Sequence, residues 1–323
     1  MNLSTSLLRR GALAAALAAT LLTASCGGGD PVVEFVPERV IAFGDEDSLI
    51  TDTGRKYTVN ALTTDTSVPT TIDCASNGIW VQRLAASYGL LFPQCNPDNV
   101  SGLRSRIYAE VDAKVADLAA QIDQHLATDT FASRDLVTLM VGRNDVLELY
   151  RQYPAASAAD LLQEARDAGQ VLAVQVTRIA NAGGKVLVST VPDLGFSPYA
   201  IQENTDAQDS TRAAFISQLI AKFNEGLRIG IQNETGDRVA LMLSDELVQA
   251  MAKFPASYGG MTDVTTAVCD ATKAVSVLDC TTDTLVTDGS GALWLWADAT
   301  HLSPNGHAYL GSLASSRARA NPF

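Results

Sequence analysis

The sequence contains little histidine, little cysteine and few basic residues. Only three histidines and five cysteines occur among 323 residues, so few side chains are available for imidazole catalysis or metal binding. Acidic residues outnumber basic ones by 36 to 23, and the formal net charge is −13. Proteins that bind nucleic acid or anionic lipid through basic patches need the opposite balance, because they neutralise phosphates. We therefore expect no nucleic-acid partner.

Several signatures of common enzyme sites are also missing. The chain has no HExxH, P-loop, GxGxxG or CxxC motif, which argues against zinc peptidases, nucleotide-binding folds and zinc ribbons. The GxSxG nucleophile elbow of standard α/β-hydrolases is absent as well. We predict neither a metal nor a cofactor.

An apolar run near the N-terminus, residues 11–24, is shorter than the about 20 residues that span a membrane, and it follows two arginines. This pattern is typical of a secretory signal. The segment LTASC, which ends at Cys26, resembles a bacterial lipobox; the resemblance implies removal of residues 1–25 and lipidation of Cys26. We expect residues 26–38 to be the lipidated N-terminus and tether of a cell-envelope lipoprotein, in the periplasm or at the outer membrane. An ordinary secretory signal is the alternative.

Four cysteines remain after Cys26, in a compartment that permits disulfides. Proximity in sequence favours the pairs Cys74–Cys95 and Cys269–Cys280, which is one of three possible pairings. We interpret both as structural disulfides.

The remainder of the chain alternates between apolar strands and amphipathic helices. With 47% hydrophobic residues it can bury a full core. Strands are predicted at residues 39–44, 135–142, 185–190 and 238–244. Helical spacing links Trp80 to Tyr88, Val111 to Leu126, Leu161 to Ile179 and Phe215 to Leu227, with Ser157 as an N-cap. Apolar strands between helices indicate a three-layer, flavodoxin-like α/β/α domain over residues 39–323, with a mostly parallel sheet of about five strands. Residues 56–73 read as an insertion loop.

Polar residues lie at the ends of the predicted strands at residues 39–44 and 135–142, and a third polar group lies near the C-terminus. Active sites in parallel sheets gather at the carboxyl ends of the strands. Asp298 and His301 are three residues apart, so the carboxylate can orient the imidazole. A serine hydroxyl needs such a base before it acts as a nucleophile, and Ser48 follows the first strand.

The sequence resembles the GDSL, or SGNH, hydrolase family. Four short blocks stand in the family's order: GDEDSL at 44–49, SNGIW at 76–80, GRND at 142–145 and DATH at 298–301. Each block alone is a weak signal, but four blocks in the right order, distributed over nearly all of residues 39–320, make a strong one. The resemblance implies an acyl-ester hydrolase with catalytic residues Ser48, Asp298 and His301, and with an oxyanion hole formed by the backbone of Ser48 and Gly78 and the amide of Asn144.

The first block departs from the family pattern, because Glu46 and Asp47 separate Gly44-Asp45 from Ser48. If the turn bulges, Ser48 is the nucleophile, as we predict. If Asp45 keeps the family position, Glu46 occupies the nucleophile position and the enzyme is inactive. We interpret the other histidines, His125 and His307, as structural.

The expected function is cleavage of a small acyl ester or a lipid through an acyl-enzyme, in a protein held at the membrane by its N-terminal lipid. A carbohydrate O-acetyl esterase is the alternative among enzymes, and a peptidase or thioesterase would use the same three residues. An inactive binding module of the cell envelope with the same fold is the alternative from another class. The sequence gives no indication of the oligomeric state.

Overall fold

The structure is a computed structural model, and it describes residues 34–64, 70–231, 235, 237–320 and 323. The contacts between residues divide the chain into Met1–Glu34 and Phe35–Phe323. The second unit begins four residues before the predicted domain boundary at residue 39. The predicted signal peptide and Cys26 lie outside the described residues.

The secondary structure alternates along the chain as expected. The strands are β1 (Arg39–Gly44), β2 (Ala61–Leu62), β3 (Ile72–Asp73), β4 (Arg106–Ile107), β5 (Asp135–Met140), β6 (Lys185–Ser189), β7 (Val239–Met242), β8 (Asp263–Ala267) and β9 (Trp294–Trp296). The α-helices are α1 (Trp80–Ala86), α2 (Leu118–Leu126), α3 (Arg143–Arg151), α4 (Ala158–Asn181), α5 (Pro198–Asp206), α6 (Arg212–Gly230), α7 (Ser244–Lys253) and α8 (Pro304–Arg319).

The central sheet confirms the predicted α/β/α class. Its five strands run parallel in the order β4-β1-β5-β6-β7, and helices flank the sheet. Strands β1 and β5 are buried along their whole length, which is why they read as continuous apolar runs. The helix pairs α4–α6 and α1–α8 pack against each other beside the sheet.

The helix α4 shows how local sequence sets an element. Ser157 caps its N-terminus, with Oγ accepting the N–H of Asp160, as the sequence predicted. The predicted helix from Val111 begins later than expected: a 3₁₀ turn at Val115–Asp117 precedes α2.

Both predicted disulfides are confirmed. The Cα atoms of Cys74 and Cys95 are 5.6 Å apart, and those of Cys269 and Cys280 are 5.8 Å apart. The expectation of a plain loop at residues 56–73 was wrong in part, because β2 and β3 form a short antiparallel pair there. No helix among the described residues is long and apolar enough to cross a membrane.

Candidate active site

The end of β1 directs the chain into the site. Gly44 has a φ of +130°, and a Cβ on it would lie 1.9 Å from the carbonyl oxygen of Met140 on β5, so only glycine fits. Asp45 then donates its N–H to that carbonyl oxygen at 3.0 Å and accepts the N–H of Asp47 on its side chain. A 3₁₀ turn, Glu46–Ser48, begins immediately afterwards.

Asp298 and His301 are in direct contact. Both carboxylate oxygens of Asp298 lie within 2.9 Å of His301 Nδ1, and the backbone N–H of His301 donates to the same carboxylate at 2.7 Å. The other ring nitrogen, Nε2, is buried and makes no hydrogen bond within the described residues. The carboxylate therefore fixes the orientation of the imidazole and leaves Nε2 as the ring nitrogen available to another group.

Glu46, rather than Ser48, faces that nitrogen. Glu46 Oε1 lies 3.7 Å from His301 Nε2 and also forms an ion pair with the guanidinium of Arg143. Glu46 Oε2 accepts the side-chain amide of Asn144 at 3.0 Å and the N–H of Asp112 at 3.1 Å. The carboxylate is therefore held from both sides.

Ser48 does not occupy the predicted position. Its side chain is fully buried, and its Oγ makes no hydrogen bond to His301 or to any other described residue. Its N–H donates to the carbonyl of Asp45, so it is not available to an oxyanion. The reason lies in the turn: because the 3₁₀ turn starts directly after Asp45, its first residue faces the histidine and its third residue turns inward.

The other two predicted oxyanion donors differ in what they contact. Asn144 Nδ2 donates to Glu46 and to the carbonyl of Ala113, which uses both of its hydrogens. The N–H of Gly78 donates to no acceptor in the part of the chain that the structure describes, and its carbonyl accepts from Arg83 Nε at 2.8 Å. Of the three predicted donors, only Gly78 keeps a free N–H.

Arg143 is the principal site residue that sequence reasoning missed. It is 2% exposed, and its Nε lies 3.7 Å from Asp47 in addition to the ion pair with Glu46. Burial alone would lower the pKa of Arg143, but Asp47, Glu46 and Asp45 outweigh that effect and raise it. A signal was present, since a basic residue within GRND and two extra acids within GDEDSL follow neighbouring strands.

The pKa values define the charges of the site. Burial opposes ionisation of Glu46, but His301 and Arg143 lower its pKa to about 2. Burial similarly opposes ionisation of Asp298, whose pKa His301 lowers to about 2. Burial and Arg143 disfavour the imidazolium, yet Asp298 and Glu46 raise the pKa of His301. Two ionised carboxylates thus face the guanidinium of Arg143 and the imidazole of His301, whose protonation they favour.

The neighbouring acids, Asp45 and Asp47, have raised rather than lowered pKa values. Burial raises the pKa of Asp45 well above its usual range, and the nearby Asp47 adds to this effect. Burial raises the pKa of Asp47 as well. Both side chains are therefore easier to protonate than Glu46, which leaves Glu46 as the ionised carboxylate beside His301.

The insertion at residues 56–73 supports the histidine. The ring of Tyr57 lies 5.3 Å from the imidazole of His301, and Thr58 Oγ1 donates to the carbonyl of Leu302 at 2.9 Å. Lys56 is buried, and its Nζ donates to the carbonyls of Cys74 and Ser76. The insertion thus braces both the histidine loop and the SNGIW block.

The remaining histidines are structural, as expected from the sequence. His125 Nδ1 lies 3.2 Å from Tyr108 Oη in the core. His307 accepts the N–H of Trp80 on Nδ1 at 3.4 Å, and burial lowers its pKa to about 3. Among the described residues, no group of three or more His, Cys, Asp or Glu side chains is arranged to hold a metal ion.

One family model matches most of the chain. Residues 40–314 match the family model described as GDSL-like Lipase/Acylhydrolase. The phosphatidylcholine-sterol acyltransferase of Aeromonas hydrophila is 25% identical over 229 residues, which cover 68% of this chain and 62% of that protein. The match thus spans less than two thirds of the acyltransferase.

Three of the solved structures to which the chain is similar are bacterial proteins. A lipolytic protein of the G-D-S-L family from Veillonella parvula has 13% identity and a TM-score of 0.43, covering 86% of this chain and 96% of that one. An extracellular lipase from Streptomyces rimosus has 15% identity and a TM-score of 0.42, covering 87% and 99%. An acetylxylan esterase from Geobacillus stearothermophilus has 15% identity and a TM-score of 0.39, covering 90% and 99%.

Proposed function

Because the chain belongs to the GDSL-like lipase/acylhydrolase family, we propose that it hydrolyses carboxylic esters with Glu46 as the covalent nucleophile and the Asp298–His301 pair as acid and base. One observation carries this proposal: Glu46 Oε1 lies 3.7 Å from His301 Nε2, directly after Gly44-Asp45, where the family pattern has its serine. Ser48 is the alternative nucleophile, and its buried, unpaired hydroxyl supports it less.

In the first step, Glu46 Oε1 attacks the carbonyl carbon of the ester. The bond from that carbon to the alcohol oxygen breaks, and the alkoxide takes the proton from His301 Nε2. A mixed anhydride then joins Glu46 to the acyl group. The resting charges suit this step, since the low pKa of Glu46 keeps it ionised and the raised pKa of His301 favours the imidazolium.

The covalent step itself prepares the second one. Acylation removes the charge of Glu46, one of the two carboxylates that raise the pKa of His301, while Arg143, which lowers it, remains. The pKa of His301 therefore falls in the intermediate, and the neutral imidazole takes a proton from water. The resulting hydroxide attacks the acyl carbon, which releases the acid and restores the Glu46 carboxylate and the imidazolium.

The charge that develops on the carbonyl oxygen needs donors. Asn144 and the N–H of Asp112 are bound to Glu46 Oε2 and therefore position the nucleophile. We assign the oxyanion to the N–H of Gly78 and to the guanidinium of Arg143, which already contacts Glu46 Oε1. A single such donor stabilises a transition state by about 3–4 kcal/mol.

Trapping of the intermediate tests the proposal. Hydroxylamine converts a glutamyl anhydride to a hydroxamate, so turnover of a p-nitrophenyl ester in its presence should modify residue 46, as read by peptide mass spectrometry. Glu46→Gln should abolish both turnover and trapping, and the matched variant Ser48→Ala should retain both. Fluorophosphonate labelling of Ser48 in the wild-type protein would instead assign the reaction to that serine.

A replacement at the same position gives a second test. Glu46→Ser restores a hydroxyl where the family pattern has one, so we expect this variant to react with the fluorophosphonate at residue 46. Absence of labelling in the folded variant would show that the turn does not present residue 46 to His301.

An inactive binding module is the second candidate. The observation that favours it is that Glu46 already satisfies Asn144 and Arg143, while Ser48 Oγ and His301 Nε2 are buried. A folded wild-type protein that neither turns over aryl esters, acetylated xylan, amides or thioesters nor yields a hydroxamate would support this candidate over the esterase.

The substrate is proposed at the level of its class. Lipid or other acyl esters fit the family, and a chain-length series of p-nitrophenyl esters compared with acetylated xylan separates an esterase or lipase from a carbohydrate O-acetyl esterase. We also propose lipid attachment at Cys26 in the cell envelope. Cys26→Ser should release the protein from the membrane fraction, and mass spectrometry of the wild-type N-terminus should show the acyl chains.

A further inference from the structure

A groove centred on Arg83 of α1 borders the candidate active site at Gly78. Three cavities of about 510, 420 and 440 Å³ have Arg83 in their walls. Asn77 belongs to the first two and Ala308 to the last two, so the cavities adjoin one another along the α1–α8 face. Arg83 is therefore the residue that all three cavities share.

The charge of the groove is opposite to that of the whole chain. The protein carries 36 acidic and 23 basic residues, yet the walls of these three cavities contain two arginines, Arg83 and Arg319, and one acid, Asp98. An excess of positive charge in a strongly acidic protein attracts anions to this place in particular.

Arg83 is held in one orientation without a carboxylate partner. Its Nε donates to the carbonyl of Gly78 at 2.8 Å, and its stem packs against Gly311, where a Cβ would come within 2.6 Å of the Arg83 Cβ. Arg83 forms no ion pair within the described part of the chain, and burial lowers its pKa. A half-buried, preorganised guanidinium without a counterion is suited to bind carboxylate or phosphate oxygens.

A second cation adds to the positive potential. Lys56 lies buried behind the loop of Cys74 and Ser76, to whose carbonyls its Nζ donates at 2.9 and 2.7 Å. Its Nζ forms no ion pair among the described residues, although the carboxylate of Asp73 is near enough to interact with it. Burial lowers the pKa of Lys56 to about 8, so it remains mostly protonated at neutral pH. Lys56 thus places a positive charge behind the loop that borders the groove.

The largest cavity also has an apolar wall, formed by Leu90, Leu91, Phe92 and Pro97. We infer that the groove binds an amphiphilic anion, whose carboxylate or phosphate head group pairs with Arg83 and whose hydrocarbon tail lies against that wall. Glu46 does not line this groove, and the inference does not depend on ester hydrolysis, although Gly78 belongs both to the groove and to the proposed oxyanion site.

Isothermal titration calorimetry on the whole protein tests the inference with four probes: decanoate, decyl phosphate, decanol and inorganic phosphate. We expect the two charged amphiphiles to bind more tightly than decanol or phosphate. Arg83→Gln should weaken them by about tenfold or more, because charge-assisted hydrogen bonds are lost. Arg83→Lys should retain part of the affinity, and the preferred head group distinguishes a carboxylate ligand from a phosphate ligand.

Two control variants show whether binding depends on Arg83 in particular. Arg104→Gln removes an exposed arginine elsewhere on the surface and should leave binding unchanged. Glu46→Gln should also leave it unchanged, so loss of esterase activity and loss of anion binding are distinguishable. Equal binding of decanol and decanoate, equal binding of phosphate and decyl phosphate, or wild-type affinity in folded Arg83→Gln would overturn the inference.

Discussion

Two arginines with different partners distinguish the two regions of interest. Arg143 is 2% exposed and faces Glu46 and Asp47, whereas Arg83 is half-buried beside open cavities and faces no carboxylate among the described residues. A buried charge is tolerated only when it is paired, so Arg143 and Glu46 depend on each other for stability. Arg83 reaches solvent and keeps its charge available for a ligand. Arg143 therefore contributes to the stability of the fold, whereas Arg83 is available to bind a ligand.

The largest expected effect is on catalysis. Glu46→Gln removes the nucleophile in our proposal, and we expect kcat for a p-nitrophenyl ester to fall by at least about 10³-fold. Ser48→Ala, the matched control two residues away, should stay within about twofold of wild type because its hydroxyl contacts no reacting group. The reverse result, with Ser48→Ala inactive and Glu46→Gln active, would transfer the role to the serine and leave Arg143 without a catalytic partner.

The next effect is on folding. Arg143→Met leaves Glu46 buried without its guanidinium, and we expect the free energy of unfolding to fall by about 3–5 kcal/mol. The double variant Glu46→Leu/Arg143→Met removes both charges of this pair and should recover part of that loss, since Asp47 still lacks the guanidinium. Urea unfolding of the single and double variants measures the coupling. Additive losses in the double variant would mean that the two side chains do not stabilise each other.

How far the site follows from the sequence depends on whether a feature is local. The strands were predictable because both of their faces are buried. The pairing of Asp298 with His301 was predictable because they are three positions apart in the sequence. The choice between Glu46 and Ser48 could not be predicted, since the chain can accommodate the two extra residues either by a bulge or by a turn that begins early. Either arrangement of the turn is consistent with the sequence GDEDSL. The contact between Glu46 and Arg143, which lies almost a hundred residues away, accompanies the early turn. This contact is visible only in the three-dimensional structure.

The same cluster predicts how stability depends on pH. The pKa of Glu46 falls on folding from its ordinary 4.5 to about 2, so its contribution is complete above pH 4.5 and is lost as the pH drops towards 2. The pKa of His301 is raised above 6.5, so its contribution is complete below pH 6.5 and is lost as the pH rises through its folded pKa. The contribution of the Glu46–His301 pair should therefore be greatest between about pH 4.5 and 6.5, whereas Asp45 and Asp47, whose pKa values burial raises, oppose it as the pH rises above their ordinary value.

Variants assign this profile to individual groups. Glu46→Gln should flatten the acidic side of the stability curve, apart from the share of Asp298, whose pKa is also lowered to about 2. His301→Gln should flatten the alkaline side, apart from the share of Asp45 and Asp47, whose pKa values are raised. Urea unfolding from about pH 3 to about pH 9 provides the curves. An unchanged acidic limb in folded Glu46→Gln would contradict the ionised carboxylate on which the mechanism depends.

The smallest expected effect completes the comparison of the two arginines. Arg83→Gln removes one hydrogen bond to the carbonyl of Gly78 and strands no buried carboxylate, so the free energy of unfolding should change by only about 1 kcal/mol. Arg143→Gln, the same chemical change at the buried site, should cost about 3–5 kcal/mol because Glu46 loses its counterion. A loss of similar size in both variants would mean that Arg83 also has a structural counterion, and the groove would then have no cation free to bind an anion.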